Sequence, residues 1–254
     1  MTRLENIFSR QRKALVIFDA CGAPDMEESE KRLETIIANG ADIVELGIPF
    51  SDPVADGPVI QRASQQALAK GATLKKILEM AARLRARHPE TGLIVFGYFN
   101  VFLQYGLEAL FARLEEIGID GILIVDLPFE ERQEIAALTE KHHVPQIPLV
   151  APSTTPERAA MLVREAKGFV YCINARGVTG ERAALPPELA ERLETLRRLS
   201  PVPVAAGFGI SGPEEAASVC RHADAAVVGS AAVKLGRTEL GKFVAGLKEA
   251  VIKA

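Results

Sequence analysis

The feature that most constrains this chain is a repeat. Short β-branched runs recur at intervals of roughly 20–45 residues, and a helical pattern follows each of them. The strand-like runs are 14–20, 42–47, 93–98, 121–126, 146–150, 168–173, 202–206 and 225–229. Helix-like stretches lie between and after them at 28–39, 74–88, 107–117, 128–142, 156–166, 187–199, 213–221 and 235–251. Pro at or near the start of several of these suits a first helical turn, and Ser211-Gly-Pro-Glu reads as an N-cap. Strands alternating with helices imply parallel pairing through right-handed crossovers. Eight such units in 254 residues, close to the ~250 typical of an eight-fold β/α barrel, imply a closed barrel spanning 1–254 as a single domain. A short amphipathic helix is expected at the start, where the chain lacks a signal-peptide core. A doubly wound sheet would need an early strand–GxGxxG–helix, which the chain lacks.

Composition narrows the function classes. A net charge of −3 argues against a nucleic-acid surface. No apolar run approaches the ~18 residues of a membrane span. Three cysteines, Cys21, Cys172 and Cys220, share no metal or redox spacing and read as reduced thiols of a cytoplasmic protein.

In a β/α barrel, chemistry sits in the loops leaving the C-terminal ends of the strands. His88, His142, His143 and His222 all end helices or precede strands, on the opposite face, and read as solvated or capping side chains. That leaves no histidine base and no histidine-rich metal site. Lysines are missing from the strands and their C-terminal ends, which disfavours a Schiff-base aldolase. One carboxylate stands out. Glu45 lies inside the apolar run from Ile43 to Leu46, stopped by Gly47 and Pro49. Residues two apart share a strand face, so Ile43, Glu45 and Gly47 point one way and Val44 and Leu46 the other. With both faces covered, Glu45 is held out of water and its pKa should rise toward neutrality, as a proton donor or acceptor at pH 7 requires. The alternative is an acid paired with a buried Arg, and no Arg lies within a strand-like run.

Glycines mark the later loops. Ala175-Arg-Gly-Val-Thr-Gly180 follows the sixth strand, Ala206-Gly-Phe-Gly-Ile-Ser-Gly212 the seventh, and Val228-Gly-Ser-Ala-Ala232 the eighth. Glycine lets backbone N–H groups approach an anion, and loops after strands seven and eight form the usual phosphate cradle of a barrel. With Ser230 as a hydroxyl donor, a bound phosphate is favoured over glycines serving tight turns alone.

At this point the residues resemble one family. Glu45-Leu-Gly-Ile-Pro-Phe-Ser-Asp-Pro-Val-Ala-Asp-Gly-Pro58 looks like the signature of tryptophan synthase α subunits, and the glycine loops follow in that family's order and spacing. The resemblance runs from about Phe8 to Lys234. It implies a TIM barrel that cleaves indole-3-glycerol phosphate to indole and glyceraldehyde 3-phosphate, a retro-aldol reaction of tryptophan biosynthesis. Glu45 matches the family's acid/base residue. Asp56 matches its second carboxylate, which takes the hydrogen bond from the indole N–H; without the resemblance it would read as a turn residue. Phe18, Ile60, Phe96, Tyr98, Leu123 and Tyr171 match the indole pocket. Gly180, Phe208, Gly209, Gly229 and Ser230 match the phosphate site, and Thr179 the lid that closes over substrate. The resemblance implies no cofactor in this subunit. It implies a pyridoxal-phosphate β subunit as partner in an αββα complex, contacted around Asp52, Pro53 and Pro128.

The chain departs from the family pattern twice. Phe18-Asp-Ala-Cys-Gly-Ala-Pro24 stands where the family usually has an apolar residue followed by Thr-Ala-Gly-Asp-Pro, so an acid appears at Asp19 and the usual Thr and Asp become Ala20 and Ala23. Asn174-Ala-Arg176 replaces a frequent Ser-Arg-Ala. Two other readings stay open from the residues. One is another phosphate-binding barrel lyase or isomerase, which should place a Lys or His at the strand ends. The other is a non-catalytic regulatory subunit, against which the retention of Glu45 and Asp56 speaks.

Overall fold

A computed structural model describes residues 1–10, 13–173, 185–207 and 209–254. Among them the chain runs α1 (Arg3–Arg10), β1 (Ala14–Ala20), α2 (Met26–Ala38), β2 (Ile43–Gly47), α3 (Pro58–Ala69), α4 (Leu74–Arg87), β3 (Gly92–Gly97), α5 (Phe99–Tyr105), α6 (Leu107–Ile117) and β4 (Gly121–Ile124). It continues with α7 (Gln133–Lys141), β5 (Leu149–Val150), α8 (Pro156–Val163), β6 (Val170–Ile173), α9 (Pro187–Leu199), β7 (Val204–Gly207), α10 (Pro213–Cys220), β8 (Ala225–Val228), α11 (Ser230–Val233) and α12 (Arg237–Lys253). All the strand pairs are parallel, in the order β4-β3-β2-β1-β8-β7-β6-β5. A lone parallel bridge, Ile122 to Gln146, brings the two ends of that row together into a nearly closed TIM barrel.

Several expected elements are altered for local reasons. The run 146–150 shrinks to Leu149–Val150 because Pro148 has no N–H to give to a ladder. The stretch 128–142 breaks into a 3₁₀ turn at Phe129–Glu131 and α7. The helices α3, α5 and α11 are additional to the expected helix-like stretches. Gly212, rather than Ser211, is the N-cap of α10, and Ser211 instead bonds through its N and Oγ to Glu215 Oε2.

Side chains separate into two apolar layers. Leu15, Ile17, Val44, Leu46, Leu93 and Val95 face outward to the helices. Val16, Ile43, Ile94, Leu123, Ala205 and Val227 fill the barrel. The N-terminal end is stoppered by α1, whose Leu4 and Ile7 are buried with that inner set. Each contributes roughly 1.5–3 kcal/mol by leaving water. A Cβ at Gly92 would lie 3.1 Å from Leu4 Cδ2, so glycine there makes room for the stopper.

The same end carries a repeated polar device. Asp42, Asp120 and Asp224 precede β2, β4 and β8, and each accepts a backbone N–H from the first or second residue of the odd-numbered strand before it: Leu15 N at 2.7 Å, Leu93 N at 2.8 Å and Val204 N at 2.9 Å. Lys248, Arg85 and Arg197 neutralise the three in turn. A charge-assisted bond of this kind fixes strand register where no chemistry is needed. Of the histidines expected to be solvated or capping, His142 is the C-cap residue of α7 but is buried, with its side-chain Nδ1 2.8 Å from Glu115 Oε2.

Candidate active site

Glu45 points into the barrel in the middle of β2, with Phe18 of β1 and Ile94 of β3 as its register partners. It has no exposed surface. Neither carboxylate oxygen finds a hydrogen-bond partner among the described residues. Burial pushes its pKa up to about 8. The carboxyl is therefore mostly protonated at neutral pH yet able to ionise, the state a general acid/base needs.

The wall around Glu45 is aromatic. Phe18 and Phe96 meet edge to face with centroids 5.1 Å apart. A Cβ at Gly47 would collide with the Phe18 ring, so the glycine clears its place. Tyr171 on β6 feels the charges of both Glu45 and Asp56; burial first, then those two carboxylates, hold its phenol well above the ordinary range. Leu123 belongs to the inner apolar layer, and half-buried Ile60 of α3, like Phe96, packs against the cluster that contains Phe18. These five, with Tyr98, are the residues expected to line an indole pocket, and they converge on the C-terminal half of the barrel.

Asp56 sits in the loop between β2 and α3. Tyr98 Oη donates to its Oδ2 at 3.0 Å, and Ala55 N donates to Tyr98 Oη at 3.0 Å. The Tyr98 ring also stacks on Phe50, 5.1 Å between centroids. One tyrosine at the start of α5 thus holds both ends of the loop and the carboxylate within it. Partial burial raises the Asp56 pKa, and the Tyr98 hydrogen bond opposes that rise. This pairing escaped sequence reasoning, because the partners are 42 positions apart and on different elements.

On the loop after β7, Gly209 adopts φ +68°, with nothing among the described residues near the position of a Cβ. Gly229 is the N-cap of α11 and Ser230 its first, exposed residue. Gly209, Gly229 and Ser230 stand on neighbouring loops because β7 pairs directly with β8. Gly180, Phe208, Thr179 and the departure Asn174-Ala-Arg176 lie outside the described residues. Asp52 and Pro128 are exposed and Pro53 is half-buried, on the loops after β2 and β4 at the same end of the barrel. A separate groove of about 1470 Å³ lies between α7 and α8, and neither Glu45 nor Asp56 lines it.

A barrel with a buried carboxyl that has no partner among the described residues, a second carboxylate at the mouth and glycine loops after its last strands defines a class: a β/α-barrel enzyme with its candidate acid/base groups at the C-terminal end. The family model described as tryptophan synthase alpha chain matches residues 4–251. The tryptophan synthase alpha chain of Geobacter sulfurreducens is 43% identical over 263 residues, covering 99% of both chains. That of Chloroflexus aggregans is 41% identical, covering 97% of this chain and 94% of its own. Among solved structures, a chain of Mycobacterium tuberculosis tryptophan synthase superposes with a TM-score of 0.92 at 33% identity, covering 99% of this chain and 98% of that one. Tryptophan synthase subunit alpha of Legionella pneumophila superposes with a TM-score of 0.91 at 32% identity over the whole of both chains. The chain belongs to the tryptophan synthase alpha chain family.

Proposed function

We propose that Glu45 and Asp56 carry the α reaction of this family, the retro-aldol cleavage of indole-3-glycerol phosphate to indole and glyceraldehyde 3-phosphate. The observation that carries the assignment is the fully buried Glu45 carboxyl, without a partner among the described residues and with its pKa pushed up to about 8. To break the bond between the ring and the side chain, indole C3 must gain a proton and the glycerol hydroxyl must lose one. Protonated Glu45 donates to C3. The carboxylate left behind accepts the hydroxyl proton as the carbon–carbon bond opens, so the electron pair of that bond returns to the ring and the group ends as it began. Positive charge spreads over the ring before cleavage, and Asp56 stabilises it by accepting from the indole N–H. In that step Tyr98 yields or shares its hydrogen bond to Asp56. Phe18, Phe96, Leu123, Tyr171 and Ile60 exclude water and orient the ring. The backbone of Gly209 and Gly229 with the Ser230 hydroxyl, joined by Gly180 and Phe208, binds the phosphate.

The chemistry as proposed uses proton transfers alone and asks for no cofactor in this chain. A β subunit carrying pyridoxal phosphate is the proposed partner, in an αββα assembly that takes up the indole, docking at Asp52, Pro53 and Pro128. We place the protein in the cytoplasm. Among the described residues no helix is long and apolar enough to cross a membrane. The deciding experiment is incubation of the purified chain with indole-3-glycerol phosphate and assay of free indole, for wild type and Glu45→Gln. The variant should fold and bind substrate while losing roughly 10²–10⁴-fold in kcat. Retention of a tenth of wild-type turnover would refute the role of Glu45.

A further inference from the structure

Asp19 is an acid on the helix-facing side of an interior strand. It follows Leu15 and Ile17 at strand spacing, on the face of β1 that looks away from the site. It is 1% exposed, and Arg32 of α2, 7% exposed, meets it. The pair is a two-pronged fork: Arg32 Nε to Asp19 Oδ2 and Arg32 Nη2 to Asp19 Oδ1, both 2.9 Å. The guanidinium does not stop there. Its Nη1 donates to Leu235 O at 2.5 Å and its Nη2 to Ala232 O at 3.2 Å. Those carbonyls belong to the last turn of α11 and the second residue past its end; Ala232 O also takes the Leu235 N–H at 3.1 Å, so the guanidinium reinforces the turn that closes the helix. With four residues, α11 has almost no internal bonding to hold it in place. Its start is Gly229 and Ser230, and a Cβ on Gly229 would lie 3.7 Å from Phe18 Cβ, the residue beside Asp19.

We propose that the buried Asp19–Arg32 pair is a positioning device for the phosphate end of the active site, clamping α11 from behind so that Gly229 and Ser230 meet the substrate phosphate. This rests on the phosphate reading given above. A single anchored guanidinium ties three separate pieces of chain, β1, α2 and the α11 terminus, into one rigid corner. Lysine could match its charge but not its planar set of donors. The pair also gives Asp19 a purpose: in the neighbouring sequence Phe18-Asp-Ala-Cys-Gly-Ala-Pro24 it is the one charged residue, and it points away from the reacting groups.

The test separates positioning from bulk stability. Two variants are made in the full chain: the charge-free Asp19→Leu with Arg32→Met, of similar volume, and Arg32→Lys, which keeps the charge. Thermal unfolding, binding of glycerol 3-phosphate and binding of indole are measured for each. An apolar replacement of a buried ion pair can keep or raise stability, so both chains are expected to fold. The expected result is affinity for glycerol 3-phosphate weakened about tenfold in the double variant and by less in Arg32→Lys, with indole affinity within about twofold of wild type. The KM for indole-3-glycerol phosphate should rise with it, while kcat moves little. Unchanged glycerol phosphate affinity in a folded variant, or an equal loss for indole, overturns the positioning role and leaves the pair a fold element. Failure of the wild-type chain to bind glycerol 3-phosphate at all would overturn the phosphate reading itself.

Discussion

Phe18 faces Glu45 across the β1–β2 pair and Asp19 faces Leu46, so two buried carboxylates occupy neighbouring rungs. Glu45 points inward and has no partner among the described residues, whereas Asp19 points outward and is held by Arg32. The contrast has measurable consequences. Because the folded chain keeps the Glu45 proton to about pH 8 while the unfolded chain releases it near 4.5, stability falls as pH rises between those values and is flat above. From about pH 6 to pH 9 the loss from this residue should be roughly 2–3 kcal/mol, and Glu45→Gln should remove it. Urea unfolding of both chains at the two pH values decides the matter; parallel losses would show that Glu45 does not set the slope. At the mouth, Asp56→Asn should lower kcat far more than it raises KM, since its charge acts as the ring turns cationic. A rise in KM alone would make Asp56 a binding residue. Glu45 was legible in the sequence because apolar neighbours bracket it within one strand. The fates of Asp19 and Asp56 were not, because Arg32 and Tyr98 come from other elements and only the fold brings them near.

Elements were legible in proportion to their hydrophobic rhythm. The helices Leu107–Ile117 and Pro187–Leu199 match their expected bounds, being framed by Gly118 and by Pro187. In α3 only Ala63, Ser64 and Ala67 are buried, so its inner face is too small and polar to show a helical period. The same economy of volume shapes β2. Gly47 ends that strand with the Phe18 ring over it and Asp19 O 2.9 Å from the place of a Cβ. Neither backbone nor ring can retreat without moving the aromatic wall, so Gly47→Ala should cost about 1–3 kcal/mol of stability through overpacking. It should also weaken indole binding, as the displaced Phe18 enters the pocket. Thermal melts combined with indole titration test this; a stable variant with normal affinity would mean the Phe18 side of the wall is soft.

At the scale of the whole molecule, the repeat of strand and helix fixed the barrel, but the quality of its closure lay in two prolines. Pro145 and Pro148 flank Gln146, and with no N–H of their own they leave the β4–β5 join to Ile122 and its immediate neighbours. Amides around Gln146 should therefore exchange with deuterium well ahead of those in β1 and β2, in the isolated chain. Equal protection would show that the groove between α7 and α8 is better packed than its shape implies. The position of this weak join matters more than its strength. Counting along the sheet, β2, β1, β8 and β7 are the middle four strands, and they carry Glu45, Phe18, Ser230 and Gly209. The join is thus as far round the circumference from them as the architecture allows. A hoop that gives way opposite its buckle keeps the buckle aligned. Insertions, cuts or thermal loosening near His143 are absorbed on the far side, while the arc that carries Glu45, Phe18, Gly209 and Ser230 keeps its shape.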